Sequence, residues 1–141
     1  MGFEAIVHEY DLRCGAEQAF EVYVAGQWWH PKYTPDPGSF EKLTIGPGSV
    51  VLTHNGLGEF VIGQVVESSP PSRLVYTSTL GQTPEWPSEI TVAFTPGADG
   101  CHFRFEHGGW NDGNAADREK FSEWPEILDR FVALADSVGG S

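Results

Sequence analysis

Cysteine and long apolar runs are scarce in this sequence of 141 residues. The two cysteines, Cys14 and Cys101, lie far apart and form no CxxC pair, so the sequence predicts no disulfide framework. No apolar run approaches the roughly 18 residues of a membrane span, and no basic segment followed by an apolar one opens the chain. These absences predict a cytoplasmic protein with reduced thiols and no membrane insertion.

Basic side chains are scarce as well. Eight Lys and Arg stand against twenty Asp and Glu, which gives a formal net charge of −12. Nucleic acids and anionic membrane surfaces both attract an excess of basic side chains, which this chain does not have. The charge therefore argues against a nucleic-acid partner, and we interpret it as a source of solubility and self-repulsion.

Aromatic residues, glycine and proline are plentiful. Aromatic residues make up 13% of the chain, with five Trp and nine Phe, while 17 Gly and 10 Pro are scattered along it. Scattered glycine and proline are typical of many turns between short strands. The length suits one domain, which we place at 1–138, followed by a short tail at 139–141 that we expect to be flexible.

The order of predicted elements is one strand, one helix, six strands and a long helix. Residues 3–12 have the β-branched and aromatic content of a strand, and 16–25 have apolar residues at helical spacing. Residues 27–38 hold three prolines and leave room for no more than a single helical turn. Turn signals then separate six predicted strands, at 39–45, 49–54, 58–68, 73–80, 89–95 and 101–107.

The last predicted helix covers 115–137 and carries a bulky apolar stripe. Phe121, Trp124, Leu128 and Phe131 follow the spacing of one helix face, so they must pack against the sheet. Pro125 interrupts the pattern. It either kinks the helix or marks where the regular helix begins, because a first helical turn tolerates proline.

Several motifs in this order resemble one known family. They are Trp28-Trp29-x-Pro31, Ile45-Gly46-Pro47-Gly48, Pro70-Pro71-Ser72-Arg73-Leu74, Phe105-Glu106-His107-x-Gly109-Trp110, and Trp124 with Ile127-Leu128. The chain resembles the START-like (SRPBCC, birch-pollen-allergen-like) superfamily, and within it the family of the C-terminal domain of the heat-shock-protein-90 ATPase activator. Cys101 departs from the family, which usually has Thr there.

This resemblance implies an α+β helix-grip fold. In that fold a curved antiparallel sheet of six to seven strands wraps around a long C-terminal helix, with one or two short helices after the first strand. It also implies an internal cavity between sheet and helix that holds a small hydrophobic molecule, such as a lipid or an aromatic metabolite. The candidate ligand-binding residues are Trp28, Trp29, Tyr76, Phe94, Phe105, His107, Trp110, Trp124 and Leu128.

The sequence predicts no catalytic residue, no metal site and no cofactor. There is no GxSxG or Cys-His-Asn signature, and the five histidines form no HxH or HExxH pair. His102 and His107 are separated by an odd number of residues on one strand and should point to opposite faces. His54 ends a predicted strand, and we expect it to be a solvated turn residue.

Two alternatives stay open beside the binding function. A cavity enzyme of the cyclase or hydrolase type would need His107 or Tyr76 to face a pocket beside an acidic partner. A module that binds a chaperone or another protein is suggested by the family's name. It is not favoured, because the eukaryotic activator carries an additional N-terminal domain for which this chain is too short.

Overall fold

The structure is a computed structural model. It describes residues 4–26, 28–29, 37–46, 48–56, 58–79, 85, 87–114, 116, 118 and 124–139. The elements within these ranges are β1 (Ile6–Leu12), α1 (Ala16–Ala25), a 3-10 turn (Pro37–Ser39), β2 (Phe40–Ile45), β3 (Ser49–His54), β4 (Gly58–Ser69), β5 (Arg73–Ser78), β6 (Ser88–Gly97), β7 (Gly100–Gly108) and α2 (Trp124–Gly139). The predicted element order is confirmed.

The seven strands form one antiparallel sheet in the order β1-β7-β6-β5-β4-β3-β2. Alternation along β7 shows which face meets the core. Phe103, Phe105 and His107 are fully buried, whereas His102 and Arg104 are only half-buried. Successive side chains of a strand point to opposite faces, so one face of the sheet is an inner face covered by the helices. The predicted split of His102 from His107 is confirmed.

The outer face near β1 carries a charged cluster. His102 bonds through Nδ1 to Asp11 Oδ1 at 2.9 Å and through Nε2 to Glu9 Oε1 at 2.8 Å. These hydrogen bonds raise the pKa of His102 above its usual value. The two carboxylates and the imidazole therefore hold β1 against β7 on the side away from the core.

Helix α1 ends at a glycine that no other residue could replace without strain. Gly26 has φ of 72°, and its N–H donates to the carbonyl of Tyr23, as in a left-handed helix cap. A Cβ at this position would lie 1.9 Å from the backbone oxygen of Leu43 on β2. The glycine thus lets the end of α1 pack directly on the edge strand of the sheet.

Helix α2 is shorter at its start than the sequence suggests. The predicted start at 115 is wrong, because the α-helix begins at Trp124 and Ala116 and Arg118 have 3-10 conformation; Phe121 lies outside the described residues. Pro125 explains this boundary, since its ring clashes with the carbonyl four residues earlier and it has no N–H to donate. No helix in the described part of the chain is long and apolar enough to cross a membrane.

The buried face of α2 follows the predicted stripe. Its buried residues are Trp124, Ile127, Leu128, Phe131 and Ala135. Their spacing of three and four residues places them on one side of the helix, which is the side that packs on the sheet. Polar contacts fix the helix further: the Arg130 guanidinium donates to the Trp28 carbonyl at 3.0 Å, and Asp136 accepts from the Arg13 N–H at 2.9 Å.

Strands β2, β3 and β4 extend beyond the end of β5, and we call this extension the arm. The N–H of Thr79, just past β5, donates to the carbonyl of Ile62. Residues 58–61 of β4 lie past that point, where they pair with β3. The inner face of the arm includes Leu52 and His54, because both are buried and stand two residues apart on β3.

Candidate functional site

All nine residues predicted to bind a ligand are buried. Their exposed fractions run from zero for Trp28, Phe105, His107 and Leu128 to 7% for Trp29, with Tyr76, Phe94, Trp110 and Trp124 between them. They come from the segment after α1, from β5, β6 and β7, from the segment after β7 and from α2. All of them belong to the interior of the protein.

Trp124, the first residue of α2, is the centre of an aromatic group at one end of this interface. Its ring centroid lies 4.6 Å from that of Phe105 and 6.0 Å from that of Trp29. Its indole Nε1–H donates to His107 Nδ1 at 2.9 Å. The start of the helix is thereby held on β7 by both aromatic packing and a hydrogen bond.

The hydrogen bonds of His107 define its tautomer. Because Nδ1 accepts from Trp124, the ring hydrogen is on Nε2, which lies 2.6 Å from Ser88 Oγ and donates to it. The Ser88 hydroxyl in turn lies 3.4 Å from the Ser78 carbonyl. Burial lowers the pKa of His107 to about 3, so the imidazole is neutral at ordinary pH.

Trp110 and Trp28 are fixed by indole hydrogen bonds to the backbone. The Trp110 Nε1–H donates to the His107 carbonyl at 2.9 Å, with the two ring centroids 4.6 Å apart. The Trp28 Nε1–H donates to the Tyr23 carbonyl at 2.8 Å, and its ring lies 4.7 Å from the Tyr23 ring. Both side chains are therefore held in one orientation.

A pair of tyrosines lies deeper in the core. The hydroxyl oxygens of Tyr23 and Tyr76 are 2.6 Å apart, and burial raises the pKa of both far above the usual value. Both phenols are therefore protonated at any ordinary pH. Phe94 and Phe131 pack against the Tyr23 ring at centroid distances of 6.3 Å and 5.3 Å.

The tyrosine pair should show strong energetic coupling. We expect Tyr23→Phe and Tyr76→Phe each to lower the free energy of unfolding by about 1–3 kcal/mol, because each leaves the other hydroxyl buried without its partner. The double variant should lose clearly less than the sum of the two. Urea unfolding of the four proteins measures this; simple additivity would show that the hydrogen bond contributes little.

Two buried polar groups have no hydrogen-bond partner among the described residues. They are the indole N–H of Trp29 and both ring nitrogens of His54. A buried polar group without a partner costs about 1–3 kcal/mol, and native proteins contain few of them. Trp29 belongs to the predicted site, and its indole N–H is a buried donor without a partner among the described residues.

The environment of His54 differs from the one expected from the sequence. The expectation of a solvated turn residue is wrong, because His54 is only 2% exposed. Strand alternation was the signal that could have found it: Val50 and Leu52 precede it at intervals of two on β3, and all three are buried. The pairing of Tyr23 with Tyr76 could not be predicted from the sequence.

The described side chains that are hydrogen-bonded to His107 and Tyr76 are not acidic. His107 is hydrogen-bonded to Ser88 and Trp124, and Tyr76 is hydrogen-bonded to Tyr23. No group of three His, Cys, Asp or Glu side chains able to hold a metal ion occurs in the described ranges. The arrangement offers aromatic surface and neutral hydrogen-bonding groups.

Solved structures with the same fold include proteins of several kinds. One is a dimer named Aha1 from Colwellia psychrerythraea, at 17% identity and a TM-score of 0.64, with 94% of this chain and 96% of that chain covered. A second is the anthrahydroquino-gamma-pyrone synthase Txn09, at 23% identity and a TM-score of 0.63, with 92% of this chain and 96% of that chain covered. A third is a truncated norcoclaurine synthase from Thalictrum flavum, at 20% identity and a TM-score of 0.57, with 93% of this chain and 92% of that chain covered.

The curved sheet and C-terminal helix of this chain are the helix-grip fold of these proteins. No curated protein matches the chain. The sequence model of one family, described as "Activator of Hsp90 ATPase homolog 1-like protein", matches residues 13–136. The match spans most of the chain, from the turn before α1 to the last turns of α2. The chain therefore belongs to this family, within the START-like (SRPBCC) superfamily.

Proposed function

We propose that this protein binds a small, largely apolar molecule between the sheet and α2. The observation that carries the proposal is the Trp29 indole N–H, which is buried and has no partner among the described residues. Trp29 packs on Trp28 at 5.6 Å and on Trp124 at 6.0 Å between ring centroids. An oxygen atom of a ligand resting on this aromatic wall would accept the free hydrogen.

The electrostatics of the wall favour a neutral ligand. His107 is neutral, since burial lowers its pKa to about 3, and both core tyrosines are protonated. A ligand pocket built from aromatic rings with a few fixed polar groups gains most from apolar burial and gains orientation from the polar groups. The predicted site residues share this composition, which supports binding of a lipid or an aromatic metabolite.

An enzymatic function has less support from the site. Two proteins of this fold are named as synthases, so the scaffold accommodates chemistry. In this chain, however, His107 and Tyr76 are hydrogen-bonded within the protein, and their pKa values lie far from neutral. A general acid or base works best with a pKa near the working pH. A fold and a family name do not by themselves determine an activity.

The test is a binding experiment on the wild type and on Trp29→Phe. We expect native mass spectrometry of protein purified without detergent, or tryptophan-fluorescence titration with fatty acids, sterols and aromatic polyketides, to reveal one class that binds saturably. Trp29→Phe keeps an aromatic ring but loses the N–H, so affinity for an oxygen-bearing member of that class should fall about 2- to 10-fold.

The control is Val66→Thr, at an exposed position on β4, where we expect no change in affinity. Absence of a retained mass and of saturable binding across all three ligand classes would contradict the proposed function. Equal affinities of the wild type and Trp29→Phe for a ligand that does bind would exclude the indole N–H as a contact.

A further inference from the structure

His54 is the second buried group with unused hydrogen-bonding capacity. Its exposed fraction is 2%, and neither Nδ1 nor Nε2 has a hydrogen-bond partner among the described residues. The ring is flanked by Phe40 at 5.8 Å and Phe60 at 5.1 Å between centroids, both with their planes nearly perpendicular to the imidazole. The surroundings are therefore apolar, and in these contacts nothing compensates the lost hydration.

The register places His54 on the same inner face as the ligand-binding wall. On β3 it follows Val50 and Leu52, both members of the main core, and it pairs with Gly58 on the adjacent strand β4. Gly58 has no side chain, so β4 contributes no side-chain atoms at the position paired with His54. A Cβ built there would meet nothing within 4 Å.

The arm and the aromatic group lie at the same end of the sheet. Ser78 ends β5, Ser88 begins β6, and His107 is the next-to-last residue of β7, so all three lie at one end of the sheet. Hydrogen bonds connect Ser78 to Ser88, Ser88 to His107, and His107 to Trp124. The arm extends beyond these residues on β3 and β4, and His54 lies in it. Trp29, in contact with Trp124, faces the same end.

We propose that His54 is a ligand-binding residue that anchors a hydroxyl group of the apolar ligand. This inference rests on the proposed function and names the chemical class of its ligand, an alcohol or phenol with an apolar body. A neutral imidazole has one donor and one acceptor nitrogen. A hydroxyl satisfies either nitrogen in either tautomer, because it both donates and accepts.

A charged anchor group fits the site less well. A carboxylate would need a cation to offset its desolvation, and the described ring contacts of His54 are two phenylalanine rings in a protein with a net charge of −12. An uncharged hydroxyl needs only one good hydrogen bond. The preference for hydroxyl over carboxylate thus follows from burial and charge together.

The experiment compares ligands that differ only in the hydroxyl. Matched pairs are dodecane and dodecanol, cholestane and cholestanol, and naphthalene and 2-naphthol, measured by calorimetric titration on the wild type, on His54→Leu and on His102→Leu. In the class that binds, we expect the wild type to prefer the hydroxyl member about 10-fold, as one hydrogen bond to a buried partner allows.

His54→Leu should reduce this preference to about 1- to 2-fold while keeping the affinity for the parent hydrocarbon. His102→Leu makes the same substitution on the outer face and should keep the wild-type preference. A direct readout is independent of any variant's folding: the imidazole NMR signals of His54 in the wild type should shift with the hydroxyl ligand and stay unchanged with the hydrocarbon.

The outcomes separate the two proposals. If no pair and no other apolar ligand binds, the proposed function fails and the inference fails with it. If ligands bind but the wild type shows no preference for the hydroxyl, or His54→Leu keeps that preference, or the His54 signals do not respond, the role of His54 is overturned. The binding function then stands on Trp29 and the aromatic wall alone.

Discussion

Replacing Trp124 by alanine should lower the free energy of unfolding by about 3–5 kcal/mol, one of the largest effects expected from a single substitution in this protein. Trp124 is 4% exposed and packs on Phe105 and Trp29. Its removal takes away a large aromatic surface and the indole N–H that His107 Nδ1 accepts. Urea unfolding followed by circular dichroism measures the loss without relying on tryptophan fluorescence.

Two further variants make this result interpretable. Trp124→Phe keeps most of the packing and removes the hydrogen bond, so its cost should be smaller, about 1–3 kcal/mol. Val66→Ala, at an exposed position, should change stability by less than about 0.5 kcal/mol. A loss well below 3 kcal/mol for Trp124→Ala would mean that the side chain borders open space in the ligand-free protein instead of filling a packed core.

Acid should destabilise the protein through His107. Burial lowers its pKa to about 3 in the folded state, against 6.5 for the ordinary group. Between these values the unfolded chain holds a proton that the folded protein does not, so stability is fully present above pH 6.5 and is lost as the pH falls. The shift corresponds to roughly 5 kcal/mol in all, of which about 2–3 kcal/mol is lost by pH 4.5.

The measurement is urea unfolding at pH 7 and pH 4.5 for the wild type and His107→Gln. Glutamine both donates and accepts but does not titrate, so the variant should lose less stability between the two pH values. The comparison is needed because other histidines titrate too: burial lowers the pKa of His8, while the carboxylates beside His102 raise its pKa. Equal losses in both proteins would show that His107 accepts a proton without penalty.

The sequence predicted the fold through patterns that local geometry imposes. Alternation along residues 101–107 separated the buried face of β7 from its charged face, and helical spacing identified the buried stripe of α2. Both patterns survive folding because a strand repeats every two residues and a helix every 3.6. The family motifs pointed to the same fold, and the family match over residues 13–136 agrees with them.

The start of α2 was harder to predict, for a physical reason. The residues before Trp124 have good helical spacing, but spacing alone does not show where the backbone leaves the helix. Pro125 allowed both a kink and a helix start, and only the structure shows that it lies in the first turn. Weak boundary signals are normal where tertiary contacts, here between Trp124 and His107, fix the end of a helix.

The candidate site was predictable in composition but not in its hydrogen bonds. All nine proposed binding residues lie in the interior, as apolar and aromatic side chains in strands and helices should. Which of them use their polar atoms within the protein could not be predicted. That the Trp28 and Trp110 indoles donate to backbone carbonyls, while the Trp29 indole has no described acceptor, depends on residues far away in the sequence.

By itself the amino-acid sequence determined the element order, the inner and outer faces of the strands, and the aromatic character of the interior, because these follow from local periodicity and from the removal of apolar surface from water. Tertiary structure alone decided the pairing of Tyr23 with Tyr76, the neutral state of His107 and the burial of His54. Hydrogen-bond partners and desolvation depend on groups that only the folded chain brings together, and no local pattern encodes them.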